Sequence, residues 1–255
     1  MLRIKVVGST IGDGERHQFL LSYVCNDTVA IDAGSIGFMT PIEDQAQIRN
    51  VFLTHSHLDH TASLPIFLDN VYVPGPECPN LYGHAETLNA LQATLFKEPL
   101  WSDLVRLSRE ESPFLRMYPV VDGQATIVDR LTILPVELNH VVPTLGYVIS
   151  DDQSAVAVIS DTGPSEHVWE ALNGVPCLKA VFLEVSFPNS MARVAARSMH
   201  LTPRTFDQEL AKLRRSLRVI AVHVKPAFRA QVVREVVDLK RADVEIVQTG
   251  RMYEF

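Results

Sequence analysis

The chain has 255 residues, 47% of them hydrophobic, with 30 Asp and Glu against 23 Lys and Arg and a formal net charge of −7. A chain of this length buries a sizeable core without crosslinks. Its three scattered cysteines, Cys25, Cys78 and Cys177, suggest buried thiols rather than a disulfide framework or a Cys-x-x-Cys metal site. The acidic balance argues against a duplex-binding protein, which would carry a basic surface, and there is no run of about 18 apolar residues to span a bilayer.

In chain order, a strand is expected over residues 2–7. The same stretch lacks the apolar block and cleavage site of a secretory signal, so a cytoplasmic location is expected. Gly8, Gly12 and Gly14 are loosely spaced with no helix signature behind them, which reads as a turn near a site mouth and not as a phosphate-binding loop. Strands follow over 19–25 and 28–31, with Asn26-Asp27 as a hairpin turn, and then over 51–54.

The densest chemistry comes next, in Thr54-His55-Ser56-His57-Leu58-Asp59-His60. Imidazole and carboxylate are the ligands of Zn²⁺, Mn²⁺ and Fe²⁺. His55 and His57 are two apart, so on extended backbone both rings project to one side and can share an ion. Ser56 points the other way and reads as structural. Asp59 and His60 can turn toward a second ion as the chain enters a helix. Helices are expected over 60–68 and 85–96. Residues 98–122, with Pro99, Trp101, Pro113, Phe114 and Pro119, read as irregular: either an insertion that covers substrate or mediates dimerisation, or a plain connector.

Beyond this segment the strand pattern repeats over 126–128, 131–138, 145–150, 155–160, 180–184, 219–223 and 244–248. Three more candidate ligands stand at strand ends, where sites of layered α/β proteins gather: His140, Asp161 and His223. A helix over 203–217 is signed by Thr202 as cap, Pro203 at its first position and an apolar stripe of Phe206, Leu210, Leu213 and Leu217. Another should follow Pro226, with a stripe at Phe228, Val232, Val236 and Leu239. The pattern predicts an α/β (α+β) protein of two mixed halves, about 1–97 and 123–255, packed sheet to sheet with helices outside. His17, His84 and His167 have no partner pattern and read as surface or packing residues.

These motifs resemble the metallo-β-lactamase-fold hydrolases: Asp32-Ala33-Gly34, the His-x-His-x-Asp-His run, the lone His140, the strand-ending Asp161 and the late His223. The resemblance spans nearly the whole chain. It implies a single domain, 1–255, built as a four-layer αββα sandwich with two divalent metal ions, zinc being expected and manganese or iron the alternatives. It assigns His55, His57 and His140 to one ion, Asp59, His60 and His223 to the other, and Asp161 to both.

Within that group the chain looks like the class II 3′,5′-cyclic-nucleotide phosphodiesterases. The closer match rests on His55 to His60 with Leu58 inside it, Glu184-Val185-Ser186-Phe187-Pro188-Asn189 with His200-Leu201-Thr202-Pro203, Asp161-Thr162-Gly163-Pro164, and His223-Val224-Lys225-Pro226. Departures sit beside the ligands: Thr61 after the motif, Pro65 within the run that follows, Leu68 and Asp69 where that run should end in Ser, and Met199 where the family often has Gly.

The resemblance implies hydrolysis of cAMP or cGMP to the 5′-nucleotide, by water activated between the metals, with a small cyclic nucleotide as substrate. Nucleic acid and membrane are not expected as partners, and a homodimer is expected because such relatives often dimerise. Asp59 has two duties open to it, metal ligand and hydrogen-bond acceptor for the attacking water. His200 is the candidate general acid, with Glu184 holding its far nitrogen; the bland alternative is a histidine that merely precedes a helix. Lys225 either faces the phosphate or is an ordinary surface lysine. An RNA-processing endonuclease of the tRNase Z kind, another esterase of the same fold, and a non-catalytic scaffold are the competing readings.

Overall fold

The computed structural model describes residues 1–9, 18–109 and 112–255, so Gly12, Gly14 and His17 lie outside the described residues. The chain divides into two compact units. One comprises Arg3–Val121 and Thr249–Tyr253; the other comprises Met1–Leu2, Asp122–Gln248 and Glu254–Phe255.

The first unit holds, in order, β1 (Arg3–Val6), β2 (Tyr23–Cys25), β3 (Val29–Ile31), α1 (Ile42–Gln47), β4 (Asn50–Phe52), α2 (Leu58–Thr61), α3 (Leu64–Asn70), β5 (Asn80–Gly83), α4 (Ala85–Ala93), α5 (Leu104–Leu107) and β6 (Arg116–Pro119). β1, β2 and β3 pair antiparallel, and β3 through β6 pair parallel in sequence order. Asn26 and Asp27 take φ of 45° and 67°, the left-handed pair that a tight two-residue hairpin needs. Alternation sorts the side chains. Val51, Leu53 and Leu81 join Phe67, Leu68 and Leu88 in one buried cluster. Phe52, Tyr82 and Tyr118, in register across β4, β5 and β6, stack with ring centroids 4.3 and 5.2 Å apart.

The second unit holds β7 (Thr126–Val128), β8 (Leu131–Leu138), β9 (Thr144–Ser150), β10 (Ala155–Ile159), α6 (His167–Asn173), β11 (Leu178–Glu184), α7 (Ala192–Ser198), α8 (Pro203–Leu210), β12 (Arg218–Val222), α9 (Arg229–Val237) and β13 (Val244–Ile246). β7 to β10 are antiparallel and β10 to β13 parallel, again in sequence order. β10, the central strand where the antiparallel and parallel halves of this sheet meet, is buried along its whole length. The last strand is β14 (Met252–Glu254), which joins the first unit's sheet beside β1, so among the described residues each of the two sheets has seven strands. No helix among the described residues is long and apolar enough to cross a membrane.

Several elements depart from the sequence expectation. The helix expected over 60–68 is two helices, because the Ser63 amide donates to Ala33 O at 3.0 Å instead of continuing the helix and Pro65 has no amide to offer. Residues 98–122 are not irregular throughout: α5 is capped by Asp103, whose Oδ1 accepts from Arg106 N at 2.8 Å, and β6 pairs with β5. The helix expected over 203–217 stops at Leu210. Beyond it, Arg214 N donates to Asn173 Oδ1, and the Arg215 guanidinium binds the carbonyls of Leu172, Asn173, Val175 and Pro176. These tertiary bonds outweigh the apolar stripe. The cap itself forms as read: Thr205 N donates to Thr202 Oγ1 and Thr202 N to Thr205 Oγ1, with Pro203 in the first turn.

Candidate metal centre

In the first unit, β4 runs out into Leu53-Thr54 and the His55–His60 segment, which enters α2. His55 and His60 are fully buried. The His55 ring lies 4.5 Å from that of His57 and 4.1 Å from that of His60, and Asp59 Oδ2 stands 4.0 Å from His60 Nε2. The structure therefore brings His55, His57, Asp59 and His60 together.

Two groups behind them set the ring orientations. Asp32, buried at the end of β3 with φ 61°, has its Oδ2 at 2.6 Å from His60 Nδ1. Its Oδ1 accepts from Thr54 N at 2.8 Å and Thr54 Oγ1 at 3.0 Å. The Thr54 hydroxyl also lies 3.0 Å from His55 Nδ1 and 3.2 Å from His60 Nδ1. With Nδ1 of both rings engaged from behind, Nε2 is the atom each presents as a ligand. Burial pushes the Asp32 carboxyl up from its ordinary value, while the adjacent His60 and the Thr54 bonds pull it down.

The loops around the motif are stapled by backbone bonds. Leu21 N donates to Asp59 O, Ala33 N to His60 O and Gly34 N to Leu21 O. A Cβ on Gly34 would fall 2.2 Å from Asp59 O, so the Asp-Ala-Gly sequence supplies the anchor carboxylate and the close backbone approach together.

In the second unit, the ends of β8 and β12 and the residue after Met199 converge on Asp161, which follows β10. His223, after β12, places Nδ1 3.0 Å from Asp161 Oδ1. His140, after β8, places Nε2 3.7 Å from Asp161 Oδ2, and its Nδ1 lies 3.1 Å from Met199 O. His200 Nε2 is 4.0 Å from the same carboxylate. Met199 has φ 52° and closes α7 in the left-handed conformation, which explains why a glycine suits that position.

Glu184, fully buried at the end of β11, lies 2.6 Å from His200 Nδ1 through Oε1. It also accepts from Thr162 N, Leu201 N and Ser186 Oγ. Ser186 Oγ stands 3.0 Å from His223 Nδ1, and Lys225 Nζ 3.1 Å from His223 Nε2. Ligand atoms of Glu184, His200 and His223 lie within 4.8 Å of one another.

The expected residues His140, Asp161, His200, Glu184 and His223 are thus gathered. Sequence reasoning had given no role to Asp32, Thr54, Ser186 or the Met199 carbonyl. Of these, Thr54 carries a positional signal, a polar residue just past a strand end and next to a histidine. Each unit offers clustered imidazoles and a carboxylate, with the rings of His55, His60, His140 and His200 held through Nδ1, a donor set suited to a borderline divalent cation such as zinc.

Residues 31–224 match the family described as "Beta-lactamase superfamily domain". The chain is 28% identical over 206 residues to a protein of Yersinia pestis named a probable 3′,5′-cyclic-nucleotide phosphodiesterase, covering 71% of this chain and 58% of that protein. It therefore spans less than two thirds of that relative's length. A protein of Methanococcus maripaludis named ribonuclease Z is 25% identical over 225 residues, covering 71% of this chain and 72% of the other. Among solved structures, unliganded yeast PDE1 shares the fold, with a TM-score of 0.78 and 18% identity over 98% of each chain.

Proposed function

The chain belongs to the β-lactamase superfamily, and from that membership we propose that it is a metal-dependent phosphodiesterase that hydrolyses 3′,5′-cyclic nucleotides, cAMP or cGMP, to 5′-nucleotides. The reading uses the two donor sets together and takes residues 1–255 as one catalytic domain. His55, His57 and His140 would hold one divalent ion, Asp59, His60 and His223 a second, and Asp161 both. Zinc suits these donors best, with manganese and iron as alternatives. Such ions would make water acidic enough to ionise near neutral pH and would neutralise charge on the phosphoryl group.

The chain's own residues supply the rest. Asp59 accepts a hydrogen bond from the attacking water and orients it. His200 delivers its Nε2 proton to O3′ as the P–O bond breaks. Glu184 keeps Nδ1 engaged, which fixes the ring and its tautomer. The observation that carries the reading is the buried 2.6 Å pairing of Glu184 with His200. An alkoxide leaving group needs a proton donor there, whereas an opening lactam or lactone does not need this pair. The name of the Yersinia relative supports the substrate class. A cytoplasmic location and a homodimer belong to the same reading.

The ribonuclease Z relative keeps one competitor in play, since an RNA-processing enzyme would use the same acid pair. A panel of cAMP, cGMP, a 2′,3′-cyclic nucleotide, bis-p-nitrophenyl phosphate and precursor tRNA, assayed with Zn²⁺ and with Mn²⁺, separates the two. Turnover of a 3′,5′-cyclic nucleotide to the 5′-product is expected. Cleavage of precursor tRNA with the cyclic nucleotides untouched would replace this reading with the nuclease.

A further inference from the structure

The charge of this acidic chain is unevenly distributed. Residues 184–235 carry ten Lys and Arg against four Asp and Glu, of which Glu184 is buried beside His200 and Glu235 accepts from Asn189 N at 2.7 Å, within a chain of formal net charge −7. Such asymmetry points to an anionic partner. The structure gathers part of that charge around one loop of the second unit, residues 186–191. Lys225 N donates to Ser186 O. Arg204 N donates to Asn189 Oδ1 at 2.9 Å. Phe228, next to Arg229, sets its ring 6.0 Å from that of Phe187. α7 follows the loop directly and carries Arg193 and Arg197, both exposed. The same helix leads into the acid pair, since His200 N donates to Ala195 O at 2.9 Å.

Three features set these cations apart from an ordinary solvated face. The side chains that form ion pairs in the second unit include Lys212, Arg218 and Arg241; among the described residues, Arg193, Arg197, Arg204 and Arg229 form none. Arg193 and Arg197 are four apart on a seven-residue helix, a like-charge spacing that costs about 0.2–0.5 kcal/mol. Two half-buried aromatic rings, Phe187 and Phe228, sit among them. Cations that track a backbone, with aromatic rings between them, are the recognition chemistry of single-stranded nucleic acid.

We propose that the surface around residues 186–191, with Arg193, Arg197, Arg204 and Arg229, binds the phosphodiester chain of a single-stranded oligonucleotide. The four guanidiniums take phosphates, and Phe187 offers a base a stacking face. This goes beyond the proposed cyclic-nucleotide activity and does not depend on it.

The test is fluorescence anisotropy of a labelled 2′-O-methyl RNA dodecamer, which is not cleaved, with the full chain in EDTA. Binding is expected to weaken with salt, with a slope of log K on log[salt] of about −3 for four contacts. Arg193→Glu/Arg197→Glu should weaken it at least about tenfold, the loss of two of those contacts. The milder Arg193→Gln/Arg197→Gln should weaken it in the same direction, with circular dichroism confirming the fold of each. Arg49→Glu/Arg106→Glu, an equal charge change in the first unit, should leave it intact.

The proposal is overturned by absence of binding, by equal loss in the control variant, or by binding that ignores both α7 variants. Retention on phosphatidylserine vesicles without oligonucleotide binding also overturns it and makes the face a membrane contact. A protein that binds the dodecamer but hydrolyses no cyclic nucleotide sinks the proposed function alone.

Discussion

Oδ2 of Asp32 lies 2.6 Å from Nδ1 of His60, with both side chains fully buried. The contact joins the end of β3 to the motif beyond β4 and decides which ring nitrogen His60 can offer to a metal. Asp32 is thus a positioning residue for the ligand set. Asp32→Asn keeps the shape and removes the charge, so zinc affinity should fall by about 10- to 100-fold while far-UV circular dichroism is unchanged. Competition with a chromophoric chelator measures it, and an unaltered affinity would deny Asp32 that role.

The His200–Glu184 pair predicts a dependence on the leaving group. His200→Ala should lower turnover of a cyclic nucleotide by about 10²- to 10⁴-fold. Turnover of bis-p-nitrophenyl phosphate should fall far less, because nitrophenolate departs without a proton. Steady-state rates on both substrates check it; equal losses would leave His200 a structural residue.

Glu209 predicts a stability effect remote from the ligands. It is buried on α8 and accepts from Trp169 Nε1 at 2.6 Å and Ser165 N at 3.0 Å, with Lys212 Nζ at 2.7 Å. Glu209→Ala strands a buried indole N–H and a backbone amide and separates an ion pair, at a cost of about 3–5 kcal/mol. Urea denaturation followed by the tryptophan fluorescence should show a lower midpoint. A change below about 1 kcal/mol, the size expected of an exposed pair, would contradict it.

Cys25 predicts a reactivity. Burial pushes its thiol up from 9.0 to about 12, so the nucleophilic thiolate is scarce at pH 8. Native protein should leave Cys25 unlabelled by a disulfide reagent, and urea should expose it; peptide mapping identifies the site. The folded state holds this proton more tightly than the unfolded chain, so the associated stability is complete below about pH 9 and is lost as pH rises toward 12. Labelling of Cys25 in the native state at pH 8 would refute the burial argument.

Much of the fold was legible because its strongest signals are local. β7 and β8 have the bounds that their apolar pattern predicts, and His55 to His60 fall together because a strand end and a helix start fix their spacing. β5, β6 and β14 were not anticipated: each is three or four residues long and owes its existence to a neighbouring strand. The helix that stops at Leu210 shows the same limit, since the bonds made by Arg214 and Arg215 join residues about 40 apart. In the candidate centre the ligand types could be read directly. The carboxylate that aims His60 could not, because Asp32 and that ring lie 28 positions apart and meet only through the tertiary fold. Met199 looked like a departure from the family pattern, and its φ of 52° shows the left-handed turn that the pattern encodes.

The central claim is that hydrolysis depends on divalent ions held by these residues. The most direct test is elemental analysis of the purified protein beside cyclic-nucleotide turnover, before and after chelation and after restoring zinc or manganese. About two equivalents of divalent metal per chain are expected, with activity abolished on their removal, restored on their return, and absent from His57→Ala. Full turnover by metal-free protein would contradict the account.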